Sequence, residues 1–534
     1  MKTILKQEIK KVLDKLGINS ELDILIEIPK DKNNGDYSSN VAMQLARVLK
    51  TNPREIATKI VDNIDNENII KVEIAGPGFL NFFVKKDYLL NNINTVLEMR
   101  ENYGKCNFGN NEKVNLEYVS ANPTGFLHIG HARGASYGDS LARIMKLAGY
   151  DVTREYYIND AGNQINNLEK SIKVRYENLC GIDSVLPENG YHGKDIIEVA
   201  KSIYEEYNTK APADIFRKKG VEFLLTQIKK DLSDFDIDFD VWYSETSLYE
   251  DNSVNNVLNT LKEKGYTYES EDAIWLKTSM FGDEKDRVLV KSDKNNTYLL
   301  PDIAYHINKY NRGYDSLIDV LGADHHGYIA RLKASIEMMG YDPSKLDVKI
   351  LQMVRLLKDG EEIKLSKRTG KTITLSELLS EVGKDAARYF FSMRSLDSQM
   401  DFDMTLATKK SNENPVYYIQ YAHARICSII REYNKEVKPL ENYETINSEH
   451  ALNLLNKVYE FKDVVEMSAK KREPHLIANY VYELAAAFHS YYAHEKVLTD
   501  DLKYTEERIN LIASVAITIK NACYLLGVNA PEKM

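Results

Sequence analysis

Two histidines three residues apart mark the first place in this sequence where chemistry could occur. His128 and His131 follow an apolar run at 114–119 and a loop rich in small and polar residues. Residues three apart share one face of a helix, and the first helical turn carries backbone N–H groups that bind anions. We therefore predict that both imidazoles hydrogen-bond a triphosphate, and that Gly130 lets a purine approach the backbone. The alternative is a pair of ordinary surface or core histidines.

A second candidate lies more than two hundred residues further along the chain. A short segment at 364–371 carries Lys364, Lys367, Arg368 and Lys371. Such a loop can be a solvated charged surface. It can also close over a phosphate group and stabilise the charge that develops during a displacement reaction. Together with the two histidines, it forms the best candidate nucleotide site in this sequence.

The elements around these residues predict a parallel sheet. Residues 114–119 and 152–158 are strand-like, and a helical run ending at Gly149 lies between them, as in a βαβ unit. Strands are predicted again at 287–291, 298–300, 317–321 and 348–353. A helix-rich, charged stretch separates the two halves. The pattern predicts a multidomain α/β protein with a Rossmann-type doubly wound sheet split by a helical insertion.

The flanking regions predict two further domains. The N-terminal part combines an apolar helical stripe closed by Gly17, a helix starting at Pro53 and a strand pair, with a polar loop at 35–40 that reads as a helix cap. The C-terminal part is helical throughout and predicts a bundle. The predicted domains are an N-terminal α/β domain (1–110), the first half of the sheet (111–165), the insertion (166–283), the second half (284–350), a region carrying the lysine loop (351–404) and the helical bundle (405–534).

Composition narrows the functional class. The chain has 534 residues, of which 43% are hydrophobic and 28% are charged, as expected of a globular protein with several domains. A net charge of −10 argues against a general nucleic-acid coat protein but leaves room for a specific RNA partner. The four cysteines lack zinc spacing, so we predict no metal site. The N-terminus does not resemble a signal peptide, and no 18-residue apolar run occurs, which predicts a cytoplasmic protein.

The two motifs together carry a resemblance to a known family. Residues 121–131 resemble the HIGH signature of class I aminoacyl-tRNA synthetases, and residues 364–368 resemble their KMSKS loop, with Leu365 for Met and Arg368 for the last Ser. The finer resemblance is to arginyl-tRNA synthetases. It rests on segments that follow in the expected order over nearly the whole chain, at 115–125, 154–164, 241–250, 321–328 and 414–426 and in the tail LLGVNAPEKM.

The resemblance implies an enzyme that activates L-arginine with ATP to arginyl-adenylate and pyrophosphate, and then esterifies the 3′ end of tRNA(Arg). Mg²⁺ is expected with the nucleotide. The residues implied in catalysis are His128, His131, Lys364 and Lys367. Those implied in ATP binding are His128, Gly130, His131, His325, His326 and Lys367, and the sequence does not say which of His325 and His326 faces the site.

The resemblance also implies an arginine pocket. Asp302 is expected to bind the guanidinium with Tyr298 alongside it, because a carboxylate matches the guanidinium fork. Asn122 is expected at the α-amino or carboxylate end of the substrate, and Glu117 is a further pocket residue. From local sequence alone, Asp302 could equally be a first-turn carboxylate favoured by the helix dipole.

RNA contacts complete what the resemblance implies. The N-terminal domain is expected to contact the tRNA elbow, and the bundle is expected to read the anticodon, with contacts at Tyr417, Tyr421, Tyr491 and Met534. Aromatic side chains can stack on unpaired bases, although several of these tyrosines must be core residues. A monomer is expected. The alternative function is a synthetase-derived RNA-binding or regulatory protein lacking catalysis; loss of His128, His131 or Lys367 would favour it, and all three are present.

Overall fold

A small antiparallel sheet organises the N-terminal domain. The computed structural model describes residues 2–18, 22, 24–27, 29, 31–323, 327–363 and 373–534. The first elements are α1 (Lys2–Lys15), β1 (Tyr37–Ser39), α2 (Val41–Leu49), α3 (Pro53–Val61), β2 (Ile69–Ala75), β3 (Phe79–Val84) and α4 (Lys86–Met99). The strand order is β1-β3-β2. Pro53 begins α3 as predicted, and Asn52 caps it by accepting a hydrogen bond from the Arg54 N–H at 2.9 Å.

The predicted polar loop at 35–40 is in part a strand. Tyr37–Ser39 pairs with β3, so the expectation of a loop that only caps a helix is wrong there. Asn40 occupies the N-cap position of α2 but makes no side-chain capping bond. The Ser39 hydroxyl instead accepts from the Val41 N–H at 3.3 Å and donates to the Leu25 carbonyl at 2.7 Å. The small polar side chains therefore tie the edge strand to its neighbours.

The central domain contains the parallel sheet. Its elements in chain order are β4 (Lys113–Glu117), α5 (Ile129–Leu147), β5 (Asp151–Ile158), α6 (Gly162–Leu179), α7 (Lys194–Tyr207), α8 (Ile215–Asp234), β6 (Val241–Ser244), α9 (Thr246–Glu250), α10 (Ser253–Glu263), β7 (Thr267–Ser270), β8 (Ala273–Leu276), β9 (Arg287–Val290), α11 (Leu299–Asn311), β10 (Ser316–Gly322), α12 (Tyr328–Met339) and β11 (Leu346–Leu351). Five strands form one parallel sheet in the order β11-β10-β4-β5-β6. The predicted doubly wound sheet is confirmed.

The order of the strands in the sheet changes side at β4. Strands β5 and β6 extend from one side of β4, whereas β10 and β11 extend from the other. The carboxyl ends of β4 and β10 therefore border the crevice in which sheets of this type bind ligands. Helix α5 packs tightly here: a Cβ added at Gly138 would lie 2.2 Å from the Tyr118 ring. A glycine at this position lets the helix approach the end of the central strand.

Three predictions within the central domain are wrong. Val241–Ser244, assigned to the insertion, is the fifth strand of the parallel sheet. Arg287–Val290 does not resume that sheet but pairs antiparallel with β8 in a separate sheet of order β7-β8-β9. Residues 298–300 begin helix α11 rather than forming a strand, because Pro301 in the first turn is compatible with a helix start.

The remaining chain forms a small sheet and a helical bundle. The elements are β12 (Val354–Lys358), β13 (Glu361–Glu362), α13 (Leu375–Val382), α14 (Lys384–Ser392), β14 (Met400–Asp403), α15 (Met404–Thr408), α16 (Pro415–Tyr433), α17 (Glu449–Lys471), α18 (His475–His494) and α19 (Leu502–Leu525). A hairpin with Asp359-Gly360 at its turn joins β12 and β13. The predicted bundle is confirmed as α16 to α19. Among the described residues, no helix combines the length and apolar character needed to cross a bilayer.

Candidate active site

His128 and His131 close the start of helix α5. His128 is the N-cap residue in an extended conformation, and its Nδ1 accepts from the Gly130 N–H at 3.2 Å. The His131 Nδ1 accepts from the His128 N–H, also at 3.2 Å. Because both Nδ1 atoms are acceptors, the proton of each neutral ring resides on Nε2. Each ring thus carries an Nε2–H donor of the kind that binds a phosphate oxygen.

The two rings form a single surface. Their centroids are 3.8 Å apart with an interplanar angle of 27°. A Cβ added at Gly130 would lie 3.1 Å from the His128 Cε1, so a larger residue at 130 would crowd this stack. The sequence predicted a shared face at the start of a helix, and the structure brings the two imidazoles together at this position.

The segment that follows the predicted lysine loop is attached to the histidine segment. The Leu375 N–H donates to the Leu127 carbonyl at 2.8 Å, and Thr374 forms an isolated β-bridge with His128. Thr374 also caps α13 through reciprocal bonds with Glu377. We call this connection the motif clasp. Lys364 and Lys367, like His325 and His326, lie outside the described residues.

Asp302 lies in the first turn of α11 and begins a series of hydrogen-bonded charges. The His306 Nδ1 lies 2.8 Å from the Asp302 carbonyl oxygen and 3.1 Å from its Oδ1. The His306 Nε2 lies 2.8 Å from Oδ2 of Asp319 in β10. Lys309 Nζ donates to Asp319 Oδ1 at 2.8 Å and to Glu117 Oε2 at 2.5 Å. We call these five residues the buried charge chain.

Electrostatics favour the ionised forms of the three middle residues of the buried charge chain, His306, Lys309 and Asp319. Burial would lower the pKa of His306, but Asp302 and Asp319 outweigh it and raise the pKa to about 10. Burial likewise opposes the charge on Lys309, yet Asp319 and Glu117 raise its pKa. The pKa of Asp319 is lowered because the two cations outweigh its burial. Burial raises the pKa of Glu117, while hydrogen bonds from Lys309 and Ser120 reach both of its oxygens.

The other predicted arginine residues lie near the same strand ends. The Asn122 amide donates to Gln164 Oε1 of α6 at 2.7 Å, which ties the loop before His128 to the insertion. Tyr298 is the N-cap residue of α11 and is 60% exposed. Tyr328 hydrogen-bonds Asp302 from the start of α12. The hydrogen bonds of the buried charge chain connect Asp302 in α11 to Glu117 at the end of β4, and Asn122 lies in the loop that follows that strand.

An additional acidic group borders this crevice and was not predicted from the sequence. Glu245 follows β6, is buried, and hydrogen-bonds Tyr157. Burial, with Asp160 and Asp302 nearby, raises the pKa of Glu245 to about 7. Asp160 is held by Thr246, whose N–H and hydroxyl both donate at 2.9 Å. The sequence signal was present in the segment at 241–250, but no role was assigned to its carboxylate.

The buried charge chain was also missed, except for its two ends. A signal existed: Asp302 and His306 are four residues apart, which places them on one helical face. Asp319 interrupts an otherwise apolar strand, and a charge at such a position requires a partner. Among the described residues, no group of three or more His, Cys, Asp or Glu side chains is arranged to hold a metal ion.

The bundle presents an aromatic surface with a cation in its centre. Tyr417 and Tyr421 stack with centroids 6.0 Å apart, and Tyr421 stacks on His489 at 6.1 Å. The Arg425 guanidinium lies 4.5 Å from the Tyr421 ring centroid and 5.0 Å from that of Tyr492. We call these five residues the bundle aromatic surface. Stacked rings beside a guanidinium are suited to unpaired nucleobases.

The other two predicted RNA contacts differ from each other. Tyr491 is fully buried, so its ring cannot stack on a base in this conformation and does not belong to the RNA surface. Met534 is 57% exposed and borders an open groove of about 760 Å³ that Tyr417 also lines. The tail leading to Met534 is fixed on α16, where the Gln420 amide donates to the Asn529 carbonyl and the His423 Nδ1 to the Pro531 carbonyl, both at 2.9 Å.

Three family models match consecutive parts of this chain. The model described as "Arginyl tRNA synthetase N terminal domain" matches residues 3–84. The model "tRNA synthetases class I (R), catalytic domain" matches residues 92–403, more than half of the chain. The model "DALR anticodon binding domain" matches residues 419–534. These ranges correspond to the small α/β domain, the central region with the motif clasp, and the bundle.

Curated relatives and solved structures agree with these matches. The Arginine--tRNA ligase of Staphylococcus aureus (strain N315) is 52% identical over 547 residues, which span 100% of this chain and 99% of the relative. That of Bacillus subtilis (strain 168) is 51% identical over 550 residues with the same coverage. The arginyl-tRNA synthetase structures of Thermus thermophilus (TM-score 0.80, 21% identity, 100% of both chains) and Plasmodium falciparum (TM-score 0.78, 20% identity, 100% of this chain and 99% of that one) share the fold. The chain therefore belongs to the class I arginyl-tRNA synthetase family.

Proposed function

We propose that this chain is an arginine–tRNA ligase that activates L-arginine with ATP and transfers it to tRNA(Arg). The observation that supports this most strongly is the motif clasp, because it joins the phosphate-facing histidines to the segment that follows the lysine loop. Both motifs act on one nucleotide only if they meet. The residues of the clasp that precede α5 follow β4, whose last residue, Glu117, belongs to the buried charge chain together with Asp302.

In the activation step, a carboxylate oxygen of arginine attacks the α-phosphate of ATP. A bond to that phosphate forms, the bond to the bridging oxygen breaks, and pyrophosphate leaves. The Nε2–H groups of His128 and His131 donate to phosphate oxygens whose negative charge grows as the bond breaks. Lys367, assisted by Lys364, holds the leaving pyrophosphate. Mg²⁺ bound with the nucleotide would neutralise part of the phosphate charge.

The arginine pocket uses the residues at the strand ends. Asp302 accepts from the guanidinium, with the Tyr298 hydroxyl alongside, because a carboxylate matches the planar fork of five donors. Asn122 binds the α-amino or carboxylate end, and Glu117 adds negative charge below the pocket. Gly130 and the region of His325 and His326 receive the adenosine.

In the transfer step, a hydroxyl at the 3′ end of the tRNA attacks the arginyl carbonyl, and AMP leaves. The N-terminal domain contacts the tRNA elbow, and the bundle aromatic surface with Met534 contacts the anticodon loop. Unpaired bases stack on aromatic rings regardless of their identity, while hydrogen bonds read their edges. We propose that the enzyme acts in the cytoplasm as a monomer.

The test is the charging of tRNA(Arg) by the full-length chain with arginine, ATP and Mg²⁺. Asp302→Asn should raise the arginine KM by about 10- to 100-fold, since a hydrogen bond to a charged group contributes roughly 1.5–3 kcal/mol. Asp293→Asn, in an exposed turn, is the matched control and should leave the KM unchanged.

Two results would contradict this proposal. If the wild-type chain binds tRNA but charges it with no amino acid, the alternative of an RNA-binding protein lacking catalysis is correct. If another amino acid is charged and arginine is not, the specificity is wrong. An unchanged arginine KM in Asp302→Asn would remove that residue alone from the pocket.

A further inference from the structure

The middle of the buried charge chain cannot touch a substrate. His306 is 3% exposed, Lys309 is 0% exposed and Asp319 is 2% exposed. Only the ends, Asp302 and Glu117, reach the strand ends where the arginine pocket is proposed. Any effect of the three middle residues on arginine must therefore act through those two carboxylates.

Geometry fixes the charge of each middle residue. Both ring nitrogens of His306 face acceptors, namely Asp302 and Asp319, so both must carry protons and the ring is a cation. Lys309 Nζ donates to two carboxylates and stands 4.4 Å from the Tyr305 ring centroid. Each oxygen of Asp319 accepts from one of the two cations, as an ionised carboxylate would.

The buried charge chain then carries one uncompensated negative charge. Asp302, Asp319 and Glu117 contribute three negative charges, whereas His306 and Lys309 contribute two positive charges. The neighbouring Glu155 is balanced separately. Glu155 is paired with both guanidinium nitrogens of Arg312 at 2.6 and 2.7 Å, and it also accepts from the Tyr305 hydroxyl. Glu245 and Asp160 accept from uncharged tyrosine, serine and threonine hydroxyls, which leave their own negative charge in place, and neither carboxyl is altered in the variants below.

We propose that His306, Asp319 and Lys309 are positioning residues that hold the buried charge chain at a net charge of −1, so that the arginine pocket selects a cation over its neutral isostere. This inference rests on the proposed function. An isolated charge in a poorly solvated site is neutralised most favourably by one opposite charge. A guanidinium provides that charge, whereas the urea group of L-citrulline, which has the same shape, does not.

The experiment varies the charge of the chain without touching the pocket. In the full-length enzyme, Asp319→Asn makes the net charge zero, Lys309→Met makes it −2, and the double variant returns it to −1. We measure the arginine KM for tRNA(Arg) charging and the inhibition constant of L-citrulline against arginine. The ratio of the two constants reports selection by charge.

Asp319→Asn should raise the arginine KM at least about tenfold and lower the citrulline-to-arginine ratio, while the ATP KM stays unchanged. Adding Lys309→Met should restore both values to within about threefold of the wild type. This rescue is specific, because removing a second buried group from a merely structural network would make the enzyme worse. Asp315→Asn, at the exposed start of β10, is the matched control and should change neither value.

The inference is overturned if Asp319→Asn leaves the ratio unchanged, or if the double variant is no better than the single one. Should Asp319→Asn fail to fold, Lys309→Met and the double variant still differ by one charge. The ratio must then be higher in Lys309→Met, and equal ratios overturn the inference. A wild-type chain that does not charge tRNA(Arg) with arginine rejects the proposed function and this inference together, whereas wild-type charging with no rescue rejects only this inference.

Discussion

Glu245 is a buried acid that stands close to its own midpoint of ionisation at neutral pH. Burial is the largest cause, and Asp160 and Asp302 add to it, so that its pKa is raised to about 7. A guanidinium placed beside Asp302 would favour the ionised form of Glu245. The carboxyl group should therefore lose its proton as arginine binds.

We predict that arginine binding near pH 7 releases up to about half a proton, since a group at its pKa is half protonated. Calorimetric titration in two buffers with different ionisation enthalpies measures the number. Glu245→Gln should abolish the release, and Glu250→Gln, an exposed acid five residues later, should retain it. Equal proton release in wild type and Glu245→Gln would exclude this carboxyl as the source.

Because of His306, the stability of the protein should fall as the pH rises into the alkaline range. Its pKa in the folded protein, about 10, lies above the ordinary histidine value of about 6.5. The stabilisation from its charge is thus complete below about pH 6.5 and is lost as the pH rises towards 10. We predict that His306→Gln lowers the thermal midpoint most at pH 6.5 and progressively less at pH 8 and 9.5.

His423 is the matched control for this prediction. Burial lowers the pKa of His423, the opposite direction to His306, so its contribution to stability is reduced only on the acid side and does not fall as the pH rises from 8 to 9.5. The thermal midpoint of His423→Gln should therefore differ from that of the wild type by the same amount at pH 8 and pH 9.5. A constant difference for His306→Gln as well would mean that its ring is not a cation.

At the scale of elements, the motif clasp joins helix α13 to the start of α5. We predict that Leu375→Pro, which deletes the N–H that binds the Leu127 carbonyl, lowers kcat for adenylate formation about tenfold. The substitution is compatible with the helix, because Leu375 is its first residue and Thr374 is extended, with φ −72° and ψ 160°. Rapid-quench assays of adenylate formation measure the effect.

Leu375→Ala separates the hydrogen bond from the side chain. It removes the buried leucine but keeps the N–H, so it should lower stability and leave kcat close to the wild-type value. If the two variants lose the same activity, the clasp contributes packing alone. If neither loses activity, it does not position the segment that follows the lysine loop.

The elements that the sequence predicted correctly are those whose pattern of apolar residues is clear along the whole segment. Helices α16 to α19 repeat apolar residues at helical spacing over several turns, and strands β4, β5, β10 and β11 are runs of five to eight residues rich in apolar side chains. Strand β6 has only four residues and follows charged segments, so it was assigned to the insertion. Strand β9 has the same composition as a parallel strand, and only its pairing with β8 distinguishes it.

The candidate site was predictable to a similar extent. His128 and Asp302 were found because a short motif or a family pattern includes them. Lys309 and Asp319 belong to a set that the sheet assembles from separate elements, since Asp319 and Glu117 are register partners on adjacent parallel strands. No local sequence pattern predicts that Asp319 lies beside Glu117, because their pairing depends on the order of the strands in the sheet. Charged residues inside apolar runs are the signal to follow in such cases.

At the scale of the molecule, binding of the small substrates by the catalytic region should be separable from binding of tRNA by the bundle. We predict that Tyr421→Ala raises the tRNA KM about 5- to 100-fold, because stacking contributes roughly 1–3 kcal/mol per base. The arginine and ATP KM values should remain unchanged, since the bundle aromatic surface is formed by α16 and α18 alone. Steady-state charging assays with each substrate varied in turn measure this.

Tyr433→Ala provides the comparison for the bundle. Tyr433 ends the same helix but lies outside the bundle aromatic surface, where its hydroxyl approaches Glu506 at 3.4 Å. Its tRNA KM should match that of the wild type. A rise of equal size in both variants would assign the effect to loosening of the bundle rather than to stacking.

The central position of β4 has a consequence for how the protein is made. Strand β4 ends at Glu117, but its partner β10 ends only at Gly322, about 200 residues later. A ribosome adding 5–20 residues per second needs roughly 10–40 s to cover that distance. During this time one edge of the nascent β4 has no strand beside it, and Glu117 lacks its ion-pair partner Lys309. Messenger RNAs truncated between the codons for Glu117 and Gly322 would yield chains in which this edge of β4 stays open and prone to aggregation.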